Sequence, residues 1–254
     1  MVYYFIRHII KNIFWSDFMR IIPKNQREQF FNTVSRRIKS HTNELSYEER
    51  SVLAHTPVYM ACIDVYQTGI IFPRGKAAAR KNITDYEIYD VCMSLGSKIH
   101  EHICSHCIST QSEFDEIHHM LCTTFLDEMN EVRLKYGYEP LNYGQAQKMI
   151  NMSIKYLTLY SDYEENAHLF KYCHMPIDRI VLKSLKNDFG FRNITSDISY
   201  KVGEEKQSWS NFSYDFYREL LNDIRSNINL NDHTYLELEY NIWGGTVSEF
   251  ISNL

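Results

Sequence analysis

Apolar residues recur every three or four positions along most of this 254-residue chain, the spacing of helices with one buried face. Residues 1–22 form a first apolar segment, closed by Pro23. Residues 25–42 place Phe30, Phe31, Val34 and Ile38 on one side, with charges opposite. Ser46 suits the N-cap of a helix from about 47 to 54. Residues 57–69 are apolar and end at Gly69, and 72–82 is a cationic connector. Thr84 caps a helix running to about 107, with Asp85 and Glu87 in its first turn. Ser112 opens another to about 135, closed by Gly137 and Pro140.

Two further helices follow, at about 144–160 and 178–188. Residues 189–206 read as irregular, with Gly190, Asn193 and Gly203 among short β-branched pieces. An amphipathic helix spans 210–226. The alternation in 235–243, YLELEYNIW, fits a short strand or a final helix. With only 9 Gly and 5 Pro, the pattern predicts an all-α, compact multi-helix protein, either one unit over 1–254 or two helical lobes with a cleft. A weak boundary falls near 136–142. It separates an N-terminal helical lobe (1–136) from a lobe over 141–254.

Hydrophobic residues make up 44% and charged residues 23%, enough for a core and against wholesale disorder. The net charge of −5 counts against nonspecific wrapping of nucleic acid, which phosphate neutralisation drives. Between 141 and 192, however, seven basic residues stand against five acidic ones. The cysteines (62, 92, 104, 107, 122, 173) do not frame short loops and read as reduced thiols of a cytoplasmic protein. The N-terminal MVYYFIRHIIKNIFW is broken by Arg7, His8 and Lys11, unlike a signal peptide. No run approaches the roughly 20 apolar residues of a membrane span.

The chemistry concentrates in 141–186. On the helix after Gly144, the residues Ala146, Met149, Ile150, Ser153, Ile154 and Leu157 share one face. Gln145, Lys148, Met152 and Lys155 share the other. A lysine attacks carbon only as the free amine, which burial or nearby positive charge promotes. Lys148 lies near the helix start, at the positive end of its dipole. Downstream, Pro176 fixes the backbone and Asp178 is placed to cap the next helix. Side-by-side packing of the two helices brings both groups to one cleft.

The pattern L-x-x-G-x-x-x-K (Leu141, Gly144, Lys148), then P-I-D (Pro176, Ile177, Asp178) opening a helix, resembles the helix–hairpin–helix DNA glycosylases. The 8-oxoguanine glycosylases are the nearest in pattern, and the long spacer is most like the archaeal type. The resemblance covers about a fifth of the chain. It implies a glycosylase-like helical core and removal of a damaged or modified base from DNA. Lys148 would attack C1′ of an extruded nucleotide, with Lys155 as the alternative nucleophile. Asp178 would stabilise the developing positive charge, and β-elimination would follow as a lyase step. Asn142, Tyr143 and Gly144 stand where the hairpin holds a phosphate, with Gln145, Arg179, Lys183, Arg74 and Lys76 as further nucleic-acid contacts. Asn142 departs from the family's first hairpin glycine. No four-cysteine pattern follows the aspartate, so no iron–sulfur cluster is implied. The lysine chemistry needs no cofactor. Clearance of modified foreign DNA, such as phage DNA, is one setting for such an activity.

Other constellations compete. Cys104, Cys107, His118 and Cys122 have the ligand types for a tetrahedral zinc site across a helical hairpin, which would make the chain a zinc-stabilised interaction module. Arg36 and His41 fit the R-x4-H spacing of HEPN-type ribonucleases, which are metal-independent and helical. Arg74–Lys81 lacks the Gly-Lys-Ser/Thr ending of a phosphate-binding loop. No Gly-x-Ser-x-Gly, His-Glu-x-x-His or dinucleotide fingerprint occurs.

Overall fold

A computed structural model describes residues 85–104, 108–157, 170–231 and 233–254, together with Val58, Ala61, Cys62 and Val65. The expected helices at 1–22, 25–42 and 47–54 and the 72–82 connector lie outside the described residues. So do Arg36, His41, Arg74, Lys76 and Cys107, and of Cys104 only the backbone is described.

The architecture is mostly helical, with one small sheet. Helix α1 (Asp85–Ile99) runs directly into a π-helical turn, His100–Cys104. Helix α2 (Gln111–Lys135) starts at Thr110, whose hydroxyl accepts from the Glu113 amide at 3.2 Å. The Glu113 carboxylate in turn accepts from the Ser109 amide at 2.9 Å, so the start falls before Ser112. Gly137, at φ 72°, supplies the left-handed residue that ends α2.

Helix α3 (Tyr143–Leu157) is the hub. Every residue from Ala146 to Tyr156 is buried, so the face carrying Lys148 and Lys155 is not solvated. The reason is enclosure: α2 packs on one side, α5 (Tyr214–Asn227) and a 3-10 turn at Trp209–Asn211 on others. Gly144 permits this, because a Cβ there would sit 1.8 Å from the Trp209 carbonyl oxygen. The turn at 136–142 therefore joins two helices that pack together.

Helix α4 (Arg179–Asn187) buries Val181, Leu182 and Leu185 and packs against α6 (Tyr235–Gly244), which contacts α7 (Val247–Ser252). The stretch expected to be irregular holds an antiparallel hairpin, β1 (Ser199–Val202) with β2 (Glu205–Ser208), turning at Gly203 with φ 59°. Residues 235–243 resolve to helix. Thr234 and Glu237 form a reciprocal capping box, and Leu236 to Tyr240 are consecutively buried, which a half-exposed strand would not allow.

Candidate functional site

Lys148 and Asp178 meet. Lys148 Nζ lies 2.7 Å from Asp178 Oδ2, and the two residues are only 7% and 8% exposed. The other oxygen, Oδ1, accepts from the amides of Ile180 (2.9 Å) and Val181 (3.0 Å). One carboxylate thus caps α4 and binds the ammonium, sitting between a lysine and the positive end of a helix. The indole of Trp243, 51% exposed at the end of α6, stands with its ring centre 5.8 Å from Lys148 Nζ. Trp243 and Ile180, the second residue of α4, are both exposed large apolar side chains.

The pair is positioned by its chain neighbours. Gln147 Nε2 donates to the Ile177 carbonyl (2.7 Å), and Gln147 Oε1 accepts from the Ile177 amide (3.1 Å). The same side chain donates to the Gly144 carbonyl (2.8 Å) and accepts from Asn151 Nδ2 (3.0 Å). A buried glutamine with all its valences used holds the Pro176–Asp178 segment at a fixed height along α3.

Behind it runs a buried network that the sequence gives no local sign of. Asn151 Oδ1 accepts from His118 Nε2 (2.9 Å), and Asn151 Nδ2 donates to the Tyr217 hydroxyl (2.9 Å). The Tyr217 hydroxyl lies 3.0 Å from His174 Nδ1, and His174 Nε2 lies 2.8 Å from Asp115 Oδ1. Arg225 closes the chain with two bonds to Asp115, at 2.7 and 2.8 Å. Burial lowers the pKa of both His118 and His174, keeping the rings neutral. Burial alone would raise Asp115, but hydrogen bonds from His174 and Arg225 outweigh it and hold this carboxyl well below the usual range. His174 Nε2 faces both Asp115 Oδ1 and, at 3.0 Å, the Arg225 guanidinium, while the Tyr217 hydroxyl links Asn151 Nδ2 to His174 Nδ1.

The remaining expected residues fall elsewhere. Lys155 is not beside Asp178: its Nζ lies 2.6 Å from Oε2 of Glu239, whose side chain is 0% exposed, and 4.5 Å from the Tyr240 ring centre. The amide of Gly144 donates to the Phe212 carbonyl at 3.0 Å, and the Asn142 amide donates to Gln145 Oε1 at 2.9 Å. The Tyr143 ring is buried against His119, Tyr214 and Tyr217. The Asn142 and Gly144 amides, two of those expected to hold a phosphate, are thus engaged within the protein. Arg179 and Lys183 are exposed on α4.

Of the zinc candidates, His118 and Cys122 share one helix, with Cys122 Sγ 3.7 Å from His118 Nδ1. His118 Nε2 is taken by Asn151, and burial pushes the Cys122 thiol far up. Among the described residues no three His, Cys, Asp or Glu side chains are grouped to hold a metal ion, and no helix is long and apolar enough to cross a membrane. Compared with protein-family models, curated proteins and solved structures, the chain finds no match.

Proposed function

We propose that the chain is a DNA glycosylase with an associated lyase step, acting on a damaged or modified base through Lys148 and Asp178. The observation that carries this reading is the 2.7 Å approach of Lys148 Nζ to a carboxylate that also caps a helix. The carboxylate takes the ammonium proton, which leaves a free amine to attack C1′, and hands that proton to the departing base, which restores the Asp178 anion. Attack forms the C1′–N bond as the glycosidic bond breaks and the base leaves. The sugar ring then opens to a Schiff base. Asp178, already held by two amides, offsets the positive charge that develops at the sugar. Elimination at C2′–C3′ cuts the strand, and hydrolysis releases the lysine.

The exposed Trp243 beside the lysine supports the same reading, since an extruded base needs an aromatic or apolar face to stack on. The test is borohydride trapping on DNA carrying modified bases or an abasic site. A covalent adduct with wild type that is lost in Lys148→Gln and retained in folded Lys155→Gln is expected. No adduct on any of these substrates, abasic DNA included, would remove the glycosylase reading.

A further inference from the structure

We infer that the outer face of α4 is a track for the phosphates of one nucleic-acid strand, taking the anchoring role for which the Asn142 and Gly144 amides are not free. This rests on the reading of Lys148 and Asp178 as a nucleotide-processing pair. Arg179, Lys183 and Lys186 stand at helical spacing (i, i+4, i+7) on the side of α4 opposite Val181, Leu182 and Leu185. Arg179 and Lys183 are exposed and Lys186 is half-buried. No carboxylate among the described residues pairs with any of the three, although several other surface cations of the fold have one: Lys98 with Glu128, Lys135 with Glu87, Lys206 with Asp197, Arg218 with Asp215. Three such cations on one helix face in a chain of net charge −5 are a local exception that a polyanion complements.

Position argues for a nucleic acid as the occupant. The stripe starts at Arg179, the residue after Asp178, and runs away from the Lys148–Asp178 pair. At 1.5 Å per residue the three side chains span about 10 Å along the axis. A strand rising about 3.4 Å per nucleotide presents about three phosphates over that length. The phosphates nearest Arg179 then belong to the nucleotide offered to Lys148. The Gly144 amide is spent on the Phe212 carbonyl, whereas Arg179 directly follows Asp178, so the cations of α4 begin beside the site.

The test uses the full chain and a fluorescein-labelled single-stranded 20-mer of unmodified DNA, followed by anisotropy across a salt series. In R179Q/K183Q/K186Q, shown folded by its thermal melt, binding is expected to weaken at least tenfold at low salt. The slope of log Kd against log salt should fall by about 2, near 0.7 for each phosphate of a single strand that is no longer neutralised. Unchanged affinity and slope in the triple variant would overturn the track, as would tighter binding of wild type to anionic phosphatidylserine vesicles than to DNA. The two ideas fail separately. Loss of binding in the triple variant with no borohydride adduct from wild type would keep the track and remove the glycosylase. An adduct from wild type with binding undiminished in the triple variant would do the reverse.

Discussion

Gln147 and Ile177 exchange two hydrogen bonds, side-chain amide to backbone, one residue before Lys148 and Asp178 form their ion pair. The two links are successive rungs between α3 and the segment that opens α4. Gln147→Leu strands the buried N–H and C=O of Ile177, at about 1–3 kcal/mol for each unsatisfied group. Chemical denaturation is expected to show that loss. Adduct formation per folded molecule should fall as well, because Asp178 is no longer held opposite the amine. Full trapping in a destabilised Gln147→Leu protein would show that the clamp does not position the pair.

Gly144 is required for space. A Cβ there meets backbone, the Trp209 carbonyl, at 1.8 Å, and a carbonyl cannot swing aside as a side-chain tip does. Gly144→Ala is expected to cost about 3 kcal/mol, at the upper end of overpacking. The 3-10 turn should part from α3, seen as faster amide exchange at Gly144. An alanine variant as stable as wild type would mean that the approach is looser than described.

Lys155 and Glu239 form a buried pair whose desolvation cost is high, and Glu239 Oε1 has no hydrogen-bond partner among the described residues. Removing one partner strands a buried charge, at about 3–5 kcal/mol. Lys155→Met and Glu239→Leu are each expected to be strongly destabilising, and the double variant to be clearly more stable than either. A double-mutant cycle reads the coupling directly. Additive losses would place the two side chains apart.

His118 and His174 are buried with lowered pKa values, so both states must be considered as pH falls. In the unfolded chain a histidine gains its proton near pH 6.5, whereas the folded chain resists until lower pH. The unfolded state therefore binds more protons below about 6.5, and stability declines from there as pH drops. Above that pH the contribution is fully present. Thermal melts are expected to hold level from pH 7.5 to about 6.5 and then to fall towards pH 5 for wild type, less steeply for His118→Gln. A melting temperature that rises on acidification would contradict the neutral-ring assignment.

Much of the helical frame is legible in the sequence, since α2 to α5 follow from apolar spacing bounded by Thr, Ser, Asp and Gly. The meeting of Lys148 and Asp178 is half legible: a lysine near one helix start and an Asp after Pro-Ile give the parts, and packing brings them together. Lys155 looks equivalent to Lys148 on a helical wheel. Only the arrival of Glu239 from α6 separates them. The network from Asp115 through His174 and Tyr217 to Asn151 joins residues on three helices and the segment before α4, and no local spacing marks such pairings. The hairpin at 199–208 is hidden because each strand is four residues long and only Ser199 and Tyr200 of the eight are buried.

The most direct measurement is peptide mapping by mass spectrometry after borohydride reduction of the protein on abasic DNA. A single adduct on the peptide carrying Lys148, absent without borohydride, is the expected result. Adduct on surface lysines alone, or none at all, would contradict Lys148 as the attacking amine.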